Sequence, residues 1–250
     1  MSKAMVVAIT DFRNAIKLRF VKWGLILAAA FGPIMNIFLV LALVLALPPS
    51  EFNMIVGFIG PTVAAMLAIF AIIPTTMISA NSLVGEKEQN TLEPLLCTPL
   101  TDMEILWGKT MASAIPSLII LVSSTAATII VTNVILLALG YPMLLIPDLA
   151  GLYLLSTATP VMIFAVIAVM IIISGKVKRV YEAYQVSSAV VLVFIIPMIG
   201  PMIGMGSGGV AASQVWLMNL ITVIIAIALF AVAWAIALKR FDRDRLVSMV

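Results

Sequence analysis

The sequence predicts an all-α membrane protein of six transmembrane helices with both termini cytoplasmic. Three observations carry that prediction. First, 64% of the 250 residues are hydrophobic and the mean hydropathy is +1.25, more apolar surface than a soluble domain can hide. Second, long uncharged runs alternate with short polar stretches. Third, with the N-terminus inside, all 14 Lys and Arg fall on the cytoplasmic side, and the outer loops carry only Glu51 and Asp148. That is a positive-inside distribution. The expected arrangement is one transmembrane domain over residues 1–250, multi-pass in the cell (plasma) membrane.

Residues 1–23 are basic, with Lys3, Arg13, Lys17, Arg19 and Lys22 against Asp11 alone. Phe12, Ala15, Ile16, Phe20 and Trp23 recur at three-four spacing, interrupted by Arg19, and predict an amphipathic elbow helix along the inner leaflet, its cations near lipid phosphates. A solvated basic tail that only sets orientation is the alternative. The stretch lacks the uninterrupted apolar core and small-residue cleavage site of a signal peptide.

The first span, 24–47, has no charge and is long enough to cross about 30 Å of hydrocarbon. Pro48-Pro49 ends it. The second, 54–80, contains Pro61 and Pro74, which membrane helices tolerate when neighbours satisfy the freed carbonyls. After a polar segment, 85–109, the third span runs over 110–139. Thr101 followed by Glu104 is a capping-box pattern, so this helix is expected to begin at Thr101, before the membrane. A turn over 141–148 leads to the fourth span, 149–174. A second polar loop, 175–185, carries Lys176, Lys178, Arg179 and Glu182. The fifth span is expected over 186–206, within which a Gly- and Pro-rich run, 197–209, begins; it forms either a re-entrant gate or a broken helix end. The sixth span is 215–238. No internal repeat of fixed period is visible.

Composition removes several chemistries. With no histidine, there is no histidine metal site, Ser-His hydrolase or histidine proton relay. Cys97 is the single cysteine and excludes an internal disulfide. No expected span holds a charge away from its ends, which argues against proton coupling. Gly108-Lys109-Thr110 ends like a P-loop, but Met103 stands where the first glycine belongs. Basic residues sit at membrane edges and not in a patch, so no nucleic acid is expected. The chain is expected to be no enzyme and to hold no cofactor or metal.

The segment 85–109 has five acids (Glu86, Glu88, Glu93, Asp102, Glu104) in a chain with 10% charged residues. Pro94 and Pro99 divide it. Thr91 can cap a short helix with Glu93 in its first turn, on which Leu92, Leu95 and Leu96 form an apolar ridge beside acids. Such a ridge suits a groove on a partner protein; a solvated loop with its leucines tucked against the span ends also fits.

This segment resembles the signature of ABC-2 type permeases, the membrane subunits of a class of ABC exporters. The resemblance rests on Glu86, Lys87 and Glu88; Thr91, Leu92 and Glu93; Leu95 and Leu96; Thr98 and Pro99; Glu104 and Ile105; Gly108 and Lys109. Asn90 stands where that family usually has glycine. The resemblance implies a coupling helix over Glu86, Glu88, Thr91, Leu92, Glu93, Leu95 and Leu96 that rests on a separate ABC ATPase subunit. That subunit would carry ATP and magnesium. A second, smaller contact is implied at Lys178, Arg179 and Glu182, and a dimer of permeases in membrane lipid. Ser123, Ser124 and Thr128 of the third span either line a pathway or bond their own helix. Asn36, Asn133 and Asn219 are expected to bind helices together rather than hold a ligand. A stand-alone secondary carrier or channel is the alternative function, and an intramembrane enzyme fits least.

Overall fold

A computed structural model describes residues 3–46, 52–85, 88, 101–174, 177, 179–196 and 212–240. These residues form helices and turns, with no strand among them. The helices are α1 (Lys3–Lys17), α2 (Arg19–Ala46), α3 (Phe52–Ala80), α4 (Asp102–Ala138), α5 (Leu149–Ser174), α6 (Val180–Val191) and α7 (Ala212–Arg240). A π-helical turn, Asn81–Gly85, extends α3, and a 3-10 turn, Leu192–Phe194, follows α6.

Five of these helices are long and apolar enough to cross a membrane: α2, Ile59–Ala80 of α3, Met103–Ala138 of α4, α5, and Ser213–Leu238 of α7. They cover five of the six expected spans. The expected fifth span begins as α6 and its 3-10 turn; its remainder, with the whole of the run 197–209, lies outside the described residues. The fourth span matches residue for residue, and α4 starts well before its span because the predicted capping box forms. Thr101 Oγ1 accepts from the Glu104 amide at 3.2 Å, and the Thr101 amide donates to Glu104 Oε2 at 2.9 Å.

Burial separates central from peripheral helices. α5 packs between α3 and α7, and α3 also meets α2 and α4. α3 and α5 are mostly buried, whereas α2, α4 and α7 turn wide apolar faces outward. Lipid tails are as apolar as leucine, so association inside a bilayer relies on close packing and hydrogen bonds. Small residues supply the close packing: Ala64, Ala68 and Ala71 of α3 are buried, and Gly151 of α5 packs against Ala64. A Cβ on Gly151 would lie 2.9 Å from Ala64 Cβ and 2.8 Å from Pro147 Cβ. Hydrogen bonds follow: Asn219 Nδ2 donates to Ala150 O at 2.7 Å, Trp234 Nε1 to Phe164 O at 3.2 Å, and Thr75 Oγ1 to Ser117 Oγ at 2.7 Å.

Two expectations need correction. The single face through Phe12, Ala15, Ile16, Phe20 and Trp23 does not form. The chain bends at Leu18, whose amide reaches back to Ala15 O at 3.1 Å, and a new helix starts at Arg19. Helical spacing is not carried through a bend, so Ala15 is buried while Phe20 and Trp23 are exposed. The second concerns Lys109, the last residue of the polar segment 85–109, expected to stand in water or against a partner protein. It is buried, one and a half to two turns into α4.

The turn between α4 and α5 is closed locally. Gly140 has φ +80°, which glycine adopts without strain, and a Schellman pattern ends α4: Tyr141 N donates to Leu136 O at 2.9 Å and Gly140 N to Leu137 O at 3.1 Å. Asn133 binds both backbone groups of Leu144, donating at 3.0 Å and accepting at 2.9 Å. Asp148 Oδ1 accepts from the Gly151 amide at 2.9 Å and so caps α5.

Candidate functional site

The opposite end of the bundle is where α3 stops, α4 starts and α6 begins. Of the expected coupling residues, Glu86, Thr91, Leu92, Glu93, Leu95 and Leu96 lie outside the described residues. Glu88 is described and exposed. Its Oε2 accepts from the Val180 amide at 3.2 Å, in the first turn of α6, where unpaired amides and the helix dipole favour a carboxylate. The segment after α3 therefore meets the loop after α5. Arg179 and Glu182, expected as the second contact, are exposed beside this junction; Lys178 lies outside the described residues.

A second tie links the same elements. Asn81 Nδ2, in the π-helical turn, donates to Tyr184 Oη at 2.8 Å and to Met77 O at 2.7 Å. Burial pushes the Tyr184 phenol up to about 12, partly opposed by the bond from Asn81, so the group stays neutral at any physiological pH. The Phe20 ring, at the start of α2, lies 5.9 Å from the Tyr184 ring. Above Tyr184 a cavity of about 380 Å³ opens between α3 and α6, walled by Ile69, Ile73, Val191, Leu192 and Ile195 with Thr76 at its edge.

The third feature is a buried polar node. Lys109 Nζ donates to Ser82 O at 2.7 Å and approaches Ser82 Oγ at 3.3 Å and Asp11 Oδ2 at 3.4 Å. Ser82 Oγ donates to the same Asp11 oxygen at 2.7 Å. The Lys109 and Asp11 side chains are only 5% and 9% exposed. Gly108 makes the approach possible: a Cβ there would lie 2.7 Å from Val7 Cβ and 2.9 Å from Ala4 O of α1. At the start of α4, Glu104 is held below the usual carboxylate range, first by the Thr101 amide and then by the Thr101 hydroxyl.

The expected pathway residues are spread along α4. Ser123 is exposed and donates to Ile120 O at 3.2 Å. Ser124 is buried and reaches Ala29 O of α2 at 3.4 Å, and Thr128 donates to Ser124 O at 2.8 Å. None of the three lines the cavity between α3 and α6. Asn133 and Asn219 bind elements together as expected, while Asn36 donates to Gly32 O of its own helix. Sequence reasoning missed Asp11, Ser82, Asn81 and Tyr184. Asp11 carried a usable signal, a lone acid among five cations, whereas a serine, an asparagine and a tyrosine near helix ends carry none.

Five membrane-length apolar helices, in a bundle held by small residues and polar ties with a charged junction at one end, define a multi-pass membrane protein. The family model for ABC-2 family transporter proteins matches residues 5–215, and the chain belongs to that family. Comparison with curated proteins gives no match.

Proposed function

We propose that the chain is the permease subunit of an ABC-2 exporter, with N- and C-termini cytoplasmic and six spans forming the substrate path. A separate ABC ATPase subunit, holding ATP and magnesium, docks on the segment Glu86–Leu96. The family match over residues 5–215 carries this reading. It is supported by the contact of Glu88 with the start of α6, which joins the two stretches through which such a partner would push. In this reading α1 is the elbow helix at the inner leaflet, the permease is a dimer in the cell membrane, and Lys178, Arg179 and Glu182 form the smaller second contact.

The test replaces Leu92 and Leu96 with glutamate in the tagged, full-length chain. The expected result is a folded membrane protein that no longer captures its ATPase subunit or stimulates ATP hydrolysis. Undiminished capture, or substrate flux through vesicles that hold the permease alone, overturns the reading and favours a stand-alone carrier.

A further inference from the structure

We infer that the Asp11–Lys109–Ser82 node is a positioning device that makes α1 move as one body with both ends of the coupling segment. The inference rests on the permease reading above and adds residues that it does not assign.

Two charges withdrawn from water lose their hydration, and a buried pair seldom adds stability over an apolar pair of similar size. A buried pair is therefore better explained by what it connects than by the strength it supplies. This one connects three elements that are distant in sequence. Asp11 belongs to α1, Ser82 to the π-helical turn that ends α3, and Lys109 to the early part of α4. Ser82 is the fourth residue before the segment that starts at Glu86, and Lys109 follows the capped helix start at Thr101. The node thus closes the base of the loop that would receive a push, and it holds α1 against that base.

The surrounding geometry is arranged for a rigid joint. Gly108 lets α1 approach until Val7 and Ala4 stand where a side chain would otherwise be. Val7 and Ala8 of α1 are buried. The single Asp11 oxygen Oδ2 receives both Ser82 Oγ and Lys109 Nζ, and Lys109 also takes the Ser82 carbonyl. Displacing any one element breaks contacts to the other two. A π-helical turn is itself a frequent mark of a functional position in a helix. Gly108 and Lys109 of the family-like pattern thereby receive distinct roles: the glycine admits α1, and the lysine binds it.

The experiment uses the full permease in complex with its ATPase subunit, in vesicles, and reads thiol labelling without nucleotide and after trapping with ATP and vanadate. Two reporters are compared. Native Cys97 reports the coupling segment, and Asn14→Cys in a Cys97→Ser background reports the exposed side of α1. Each is measured with the node intact and with Asp11→Leu plus Lys109→Met, which removes both charges of the pair together. With the node intact both reporters should change labelling rate on trapping, by roughly fivefold or more if the linkage is of ordinary allosteric strength. Without the node Cys97 should still respond and the α1 reporter should not. Ser82→Ala, which alters no charge, should reduce the α1 response partway and serves where the double variant fails to fold. An α1 reporter that responds equally with and without the node, or in neither case, overturns the inference while leaving the permease reading intact. A Cys97 that ignores nucleotide in the native complex sinks the permease reading itself.

Discussion

The two ends of the bundle are tied by different kinds of bond. At the turn end, closure is mostly local: Asn133 reaches Leu144, eleven residues on, and Asp148 reaches Gly151, three residues on. Asn219 to Ala150 is the long-range exception. At the segment end the polar ties join residues 27 apart (Lys109 to Ser82), 71 apart (Ser82 to Asp11), 92 apart (Val180 to Glu88) and 103 apart (Asn81 to Tyr184). Local bonds fix a turn whatever the rest of the bundle does. Long-range bonds fix elements to one another, so a force on one is felt by the others. The segment end is built as a joint, and the turn end as a cap.

The sharpest way to break that contrast is to orphan a charge in the joint. Lys109→Met alone leaves the Asp11 carboxylate buried beside one hydroxyl donor. Removal of one partner of a buried pair costs about 3–5 kcal/mol, much of it for the ion left behind. Thermal unfolding in detergent should show a large loss for Lys109→Met and for Asp11→Leu singly, and a much smaller one for the two together. Equal losses for the single and double variants would mean that the pair is solvated in the folded protein and that the joint is not a buried one.

A smaller effect is expected where the cap meets the core. Gly151→Val pushes a branched side chain into Ala64 and Pro147, which already stand within 3 Å of an added Cβ. Overpacking of this kind costs about 1–3 kcal/mol. The loss should appear as lowered unfolding temperature with ATPase capture unchanged, because the site lies at the other end. Capture lost in Gly151→Val would erase the division of labour between the two ends.

The turn end was the more legible in the sequence, and the reason is physical. Local structure is written in neighbouring residues: the turn 141–148 and the span 149–174 could be bounded from composition and hydropathy, just as Thr101 with Glu104 announced the one local feature of the segment end, the start of α4. Long-range ties have no such signature. Asp11 read as one acid in a basic stretch because nothing near it in sequence is its partner. Lys109 read only as the end of a polar segment, because its burial depends on α1 folding over Gly108. The bend at Leu18 escaped a periodicity argument, since three-four spacing continues in the text of the sequence whether or not the helix does. Membership of a transporter family was legible in the segment Glu86–Lys109, whereas the meeting of Glu88 with α6 was not, because it joins residues separated by the whole of α4 and α5.

The smallest predicted effect concerns Asp148, which does two opposed things. Its Oδ1 caps α5 through the Gly151 amide, and a Cβ on Gly60 of α3 would lie only 2.9 Å from that oxygen. Burial raises the Asp148 carboxyl above its ordinary value, and the hydrogen bonds from Gly151 and neighbouring amides only partly oppose this. A raised value means that the folded state holds the proton more tightly than the unfolded chain. The contribution is then fully present below the ordinary carboxylate value and is lost as pH rises through the raised one. Asp148→Asn keeps an acceptor for the Gly151 amide, suits the N-cap position, and removes the charge. The variant should therefore match or slightly exceed the parent in stability at neutral pH, and the advantage should vanish on acidification, when the parent carboxyl is neutral as well. If Asp148→Asn is instead the weaker protein at neutral pH, the ionised form of Asp148 holds the turn, and the cap end shares the reliance on charge that otherwise sets the joint apart.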